Sequence, residues 1–278
     1  MHKLSASIAV TRHLLALSLI LLANSTQAFD AKIAESAMQR IPGGNFSTVL
    51  PPAEGIKLVT VKTFSLDRTP VTNQQFARFV SQHPEWRRDR VARLFADAGY
   101  LKQWTSASQS AVAMQDVPVV HVSWFAASAY CESRGARLPT WYEWEYAAAA
   151  NETQRDARTD PEWRQKILSW YSTSGRSALP AVGRGVANVY GVHDLHGVVW
   201  EWIDDLSAMM VSGDNRQQSD PETTRICGTG ALSMEQKENY AILMRIAMLS
   251  SMQAKYTSST MGFRCATDIP VSSGVSGK

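Results

Sequence analysis

The most reactive side chains in this chain are its three cysteines, Cys131, Cys227 and Cys265. A thiolate is both a nucleophile and a soft metal ligand, so two cysteines brought together would support redox or metal chemistry. An odd count in an oxidising compartment instead permits one bridge and leaves one thiol over, unless two chains pair. His193 and His196 stand three apart, a spacing that on a helix would suit a transition metal. Gly228-Thr229-Gly230 is a bare glycine pair and reads as a turn, far short of a dinucleotide fingerprint. With no phosphate loop and no alternation of strands and helices, nucleotide chemistry has no support.

Three helices are legible as the elements that would position these groups. The first follows Thr72, an N-cap, carries Phe76, Phe79 and Val80 on one face and stops near His83-Pro84. A second starts after Ser123, places Trp124, Ala127, Ser128 and Cys131 on one face, and ends at Gly135, where a left-handed cap costs little. Cys131 therefore looks inward. The third opens on Thr140-Trp141-Tyr142-Glu143, the spacing of a capping box, with Trp144, Ala147 and Ala148 as its buried stripe. Strand-like runs are short: Leu58 to Phe64, Val117 to Val122 and Gly197 to Ile203. Short strands with long irregular connections indicate an α+β domain of low regular secondary structure.

The first 28 residues differ from the rest. Lys3 and Arg12 precede an apolar run from Leu14 to Ala23 and a small-residue stretch ending at Ala28, the layout of a signal peptide cleaved after Ala28. Ten apolar residues are about half of the roughly 20 that a spanning helix needs. Export would make the mature protein periplasmic, and not membrane-embedded. Cleavage removes two of 28 basic residues and no acidic one, leaving 26 against 25, so no nucleic-acid footprint is expected. Residues 29–37 form a lead-in, 38–268 the folded domain, and 269–278 a Ser/Gly-rich disordered tail.

Four segments resemble the formylglycine-generating enzyme family, the sulfatase-modifying factor domain. They are Ile41-Pro42-Gly43-Gly44-Asn45-Phe46 with Thr69-Pro70-Val71-Thr72-Asn73; VSWFAASAYCESRGARLPTWYEWEYAA within Pro118 to Ala148; Tyr190 to Trp202; and the closing Gly262-Phe263-Arg264-Cys265. Their order matches the family's. The resemblance implies one compact domain of C-type-lectin-related fold and a disulfide between Cys131 and Cys265, two buried thiols being the alternative. Closing that loop of 134 residues would constrain the unfolded chain by roughly 4 to 5 kcal/mol. It also implies a single structural calcium ion, held by the side chains of Asp194 and Glu201 and the carbonyls of Gly197 and Val199; capping and pairing by the two carboxylates is the alternative. In the same segment His193 and His196 fall on a turn rather than a helix, which removes the transition-metal reading.

Formylglycine-generating enzymes hold copper(I) with a cysteine pair whose positions fall here on Gln236 and Ala241. Residues 228 to 264 contain no cysteine, so no copper(I) is expected whatever the alignment. Cys227 is the one spare thiol, either near the old reaction centre or simply packed. Leu249 stands where the family commonly has a second Arg. In the replaced segment Glu235 or Glu238 could act as general acid or base, with Tyr240 and Arg245 orienting a substrate; a solvated helix face is the alternative. The chain looks like the family's exported branch without the cysteine pair, which includes pyoverdine-maturation and nitrite-reductase-associated members. The reading is therefore a periplasmic maturation factor, an oxidoreductase-like enzyme modifying a peptide-derived small molecule or a periplasmic protein. A non-catalytic, calcium-supported peptide- or protein-binding module is the competing class. The substrate and the oligomeric state are not written in the sequence.

Overall fold

The computed structural model describes residues 38–50, 52, 56, 58–172, 178–205 and 240–269. The expected signal peptide and lead-in, 1–37, lie outside them, as does all but the first residue of the expected tail. The chain divides into two units, 1–38 and 39–278, and every element lies in the second apart from the first residue of the first strand.

Among the described residues seven strands of two to four residues form three small sheets. They are β1 (Met38–Ile41), β2 (Gly44–Ser47), β3 (Leu58–Val61), β4 (Phe64–Asp67), β5 (Trp200–Glu201), β6 (Met261–Gly262) and β7 (Ala266–Asp268). Strand order is β1-β4-β7 in one sheet, with β2-β3 and β5-β6 as two-stranded ribbons. β2 and β3 run antiparallel with Phe46 opposite Val59, β4 and β7 antiparallel with Leu66 opposite Ala266, and β5 and β6 parallel with Trp200 opposite Met261. Gly43 leads into β2 so close to its partner that a Cβ there would sit 2.3 Å from the Val61 carbonyl oxygen, which excludes any other residue.

Among the described residues five α-helices accompany the strands: α1 (Asn73–Gln82), α2 (Trp124–Ser133), α3 (Trp141–Ala148), α4 (Pro161–Ser172) and α5 (Tyr240–Ser250). The three helices expected from the sequence are α1 to α3, and their starts are where local chemistry puts them. Thr72 accepts from the Gln75 amide while the Gln75 side chain accepts from the Thr72 amide; Thr140 and Glu143 do the same for α3. Ser123 caps α2, and Gly135 follows it at φ +67°. Phe76 of α1 packs against Phe79, Trp104, Tyr130 and Phe263 at 5.3 to 6.1 Å between ring centres, forming the aromatic centre of the core. Cys131 on α2 and Cys265 are both fully buried and joined by a disulfide, as the resemblance implied.

Two helices go beyond the sequence reading. At the start of α4, Asp160 Oδ1 accepts from the amides of Glu162 and Trp163 at 2.9 and 3.3 Å, and Pro161 takes the first helical position. An N-cap followed by proline was a usable signal. The last helix, α5, buries Ile242, Ile246 and Leu249, but apolar residues surround it so fully that the sequence shows no helical stripe.

The strand expectations need correction. Leu58 to Phe64 covers the whole of β3 and only the first residue of β4, with Lys62 and Thr63 between them, and Gly197 to Ile203 contributes only β5. Val117 to Val122 is buried but pairs as no strand beyond one isolated bridge, Thr72 with Pro118. Its carbonyls are taken by side chains instead: Asn73 Nδ2 reaches Val117 and Pro118 at 3.0 and 3.3 Å, and Gln103 Nε2 reaches Val120 at 2.8 Å. Backbone groups satisfied in this way need no neighbouring strand.

Candidate functional site

Glu201, on β5, is fully buried. A lone carboxylate there would cost several kcal/mol, so its partners decide whether the position is possible. Arg264 donates Nε to both carboxylate oxygens at 3.0 and 2.9 Å and Nη2 to Oε1 at 2.8 Å, and Trp144 Nε1 donates to Oε2 at 2.8 Å. The same guanidinium reaches the Asp67 carbonyl at 3.1 Å and the His193 carbonyl at 2.9 Å. Arg264 thus binds β4, the turn at 193 and β5 together from one fully buried cation. Arg245, 1% exposed on α5, lies with its guanidinium carbon 3.5 Å from the Trp144 ring centre and donates to the Glu201 carbonyl at 2.6 Å.

The turn expected to hold calcium leads into β5. Asp194 is left-handed at φ +59° and Gly197 at φ +83°. A Cβ on Gly197 would meet Trp170 at 2.7 Å, so glycine is required on two counts. The Gly183 amide donates to Asp194 Oδ2. No hydrogen bond among the described residues reaches Asp194 Oδ1 or the carbonyls of Gly197 and Val199. Three of the four expected ligands therefore have free oxygens, the donor type that calcium takes. Glu201 fits less well, because each of its oxygens already accepts two hydrogen bonds; it could join an ion only by sharing with Arg264.

The histidines of this turn point elsewhere. His193 Nδ1 meets the Gly185 carbonyl at 2.7 Å and His196 Nε2 the Ala148 carbonyl at 2.8 Å. His196 sits among Trp144, Trp163 and Trp170, and burial pushes its pKa down to about 4, so it is neutral at ordinary pH. Among the described residues no cluster of three His, Cys, Asp or Glu side chains could hold a metal.

Of the residues expected to do chemistry, Glu235, Glu238 and Cys227 lie outside the described residues. Tyr240 opens α5. Arg245 is a core residue, packed under the turn rather than lining an open groove. The two cysteines of the disulfide are spent, which leaves Cys227 as the one thiol in the chain. A copper(I) site of paired thiolates does not fit that inventory.

The sequence reading passed over Arg264, Trp144 and Glu145 as individual actors. Arg264 carried a signal, since a charged residue between Phe263 and Cys265 in an apolar run must find a buried partner. Glu145 lies on α3 with no exposed surface, accepting from Thr48 Oγ1 at 2.6 Å and the Val49 amide at 2.9 Å. Burial pushes its pKa up to about 7, against the pull of these donors and of Arg158 at 3.8 Å. Between pH 4.5 and 7 the folded chain therefore holds a proton that the unfolded chain has released, so this contribution to stability is present below 4.5 and is lost as pH rises through 7. The loss is about 3 kcal/mol. In Glu145→Gln the difference in unfolding free energy from the parent should grow in the variant's favour across that window; a pH-independent difference in chemical denaturation would contradict it.

Residues 25–269 match a family described as the sulfatase-modifying factor enzyme 1-like domain. The chain is 28% identical over 287 residues to the formylglycine-generating enzyme of Streptomyces coelicolor, spanning 84% of this chain and 90% of that one. It is 29% identical over 213 residues to the inactive C-alpha-formylglycine-generating enzyme 2 of Bos taurus, spanning 59% and 69% respectively. Among solved structures it is similar to PvdO from Pseudomonas aeruginosa, with a TM-score of 0.46 and 18% identity over 84% of this chain and 94% of that one.

Proposed function

Since the chain belongs to the sulfatase-modifying factor enzyme 1-like family, we propose that it is an exported maturation factor that works without the family's copper-binding cysteine pair, oxidatively modifying a peptide-derived substrate or maturing a periplasmic protein. The observation that carries this reading is the thiol inventory. Three cysteines occur in the whole chain, two are consumed in a buried disulfide, and one thiol cannot supply two thiolate ligands. Proton transfers fall in this reading to Glu235 and Glu238, with Tyr240 orienting the substrate. Arg245 acts as a positioning residue: by stacking on Trp144 and bonding to Glu201 it fixes the first turns of α5 on the hub.

The test uses the mature protein with oxygen uptake and product mass as readouts. A cysteine-bearing sulfatase peptide should not be converted to formylglycine, while catechol-type or thiol-type peptide substrates should consume oxygen and change mass. Conversion of the sulfatase peptide to formylglycine would sink the proposal. Silence toward every oxidisable substrate would instead favour a binding module.

Calcium belongs to this reading as a structural ion. Asp194 Oδ1 and the carbonyls of Gly197 and Val199 would hold it, and Glu201 would join by loosening its bond to Arg264. Because a ligand bound only by the folded state stabilises by mass action, about 2.7 kcal/mol at a hundredfold excess over Kd, added calcium should raise the unfolding temperature. Asp194→Ala should abolish that rise. No bound calcium by metal analysis, and no response of the parent protein, would remove the ion from the account.

A further inference from the structure

Four aromatic rings form a row across the surface, two of them on the first turn of α2. Trp86 lies 6.0 Å from Phe95, Phe95 5.4 Å from Phe125, and Phe125 5.5 Å from Trp124, centre to centre, the last two pairs edge to face. Phe95 is 39% exposed, and Leu94 beside it is 71% exposed; the other three rings are half-buried. Trp124 has already committed its indole N–H to the Ile203 carbonyl at 2.7 Å, so its ring is available mainly as an apolar surface.

The backbone under this row is pinned from behind. The Tyr100 hydroxyl donates to the Trp86 carbonyl at 3.1 Å, Arg88 donates to the carbonyls of Leu101 and Trp104 at 3.0 and 2.8 Å, and the Asp97 amide donates to the Lys255 carbonyl at 3.0 Å. Rings held in this way lose little freedom when something lies across them. A contiguous exposed apolar strip on an otherwise packed domain marks a contact surface.

The charges around the strip specify the partner. Arg87 pairs with Asp89 at 2.9 Å, and the Asp97 carboxylate, held by neutral donors from Thr257 and Gly99, keeps its charge as does Glu85, so residues 85–97 set four arginines against three carboxylates. Arg90 and Arg93, in the same segment, are exposed and have no ion pair among the described residues, and Lys255 is exposed at the other side. The strip therefore carries surplus positive charge although the mature chain as a whole is close to neutral. Aromatic faces rimmed by arginine and lysine complement a ligand that alternates apolar and acidic groups.

We propose that the Trp86–Phe95–Phe125–Trp124 row is a docking surface for an acidic peptide segment bearing aromatic or branched aliphatic side chains. The half-sunk rings suit a peptide laid across them better than an anionic membrane, because Leu94 alone stands well clear of the surface. This surface is independent of the calcium turn and of the chemistry proposed above.

The test is fluorescence anisotropy of a labelled peptide alternating glutamate with phenylalanine, titrated with the mature protein, beside its lysine-for-glutamate counterpart, phosphatidylglycerol vesicles and a thymidine oligonucleotide. The acidic peptide should bind, and binding should weaken with added salt. It should weaken about tenfold in the double variant Arg90→Glu, Arg93→Glu, and comparably in Leu94→Asp with Phe95→Ser, while unfolding midpoints stay near that of the parent. Equal binding of both peptides, indifference to both variants, no binding, or preference for vesicles or oligonucleotide would each overturn the proposal.

Discussion

Replacing Cys131 and Cys265 together with alanine is expected to lower unfolding free energy by about 5 kcal/mol. The two cysteines are 134 residues apart in sequence, and the loop they close takes in the end of α2, α3, α4, the hub at Glu201 and α5. A link of that span removes more unfolded-chain entropy than a short one, because the penalty grows with the logarithm of loop length. The sheets offer little to compensate, since no strand among the described residues exceeds four residues. Domains typically have 5 to 15 kcal/mol of stability in all, so the variant should be partly unfolded at 37 °C. Urea unfolding of the oxidised parent and the double variant measures the difference directly. A loss under about 1 kcal/mol would mean that the packing of α2 against the closing strands, not the covalent link, holds the domain together.

Breaking the hub from the other side should have a similar effect. Arg264→Met leaves Glu201 fully buried with Trp144 Nε1 as its one remaining side-chain donor among the described residues, and severing one partner of a buried ion pair costs about 3 to 5 kcal/mol. Adding Glu201→Gln removes the stranded charge and should return part of the loss, giving a coupling energy of about 2 kcal/mol or more in a double-mutant cycle. Strict additivity would show that the two side chains do not depend on each other. The pair also carries a positional consequence. Because Arg264 bonds the carbonyls of Asp67 and His193, its loss should loosen the turn at Asp194 and weaken any calcium response together with stability.

How far the sequence could be read depended on the range of the interactions involved. The starts of α1, α2 and α3 were legible because each cap is made within three residues of itself: Thr72 with Gln75, Ser123 with Ala126, Thr140 with Glu143. The disulfide followed from family motifs and could not have been deduced from spacing alone. Val117 to Val122 misled because a buried apolar run looks the same whether its carbonyls meet a strand or, as here, the side chains of Asn73 and Gln103. The period of α5 was concealed because its exposed positions, Met244 and Ala247, are as apolar as its buried ones, so no polar face marks the helix.

By itself, then, the sequence determined the family, the α+β class, the inward-facing Cys131 and the absence of cysteine from residues 228 to 264, all of which rest on local patterns or on simple counting. Only the tertiary structure decided that Arg264 is the cation at Glu201, that Arg245 lies in the core against Trp144, and that Glu145 is buried with a raised pKa. Each of those depends on hydrogen bonds spanning from 44 to 97 residues of chain, and no local spacing encodes which distant charge will meet which when a core closes.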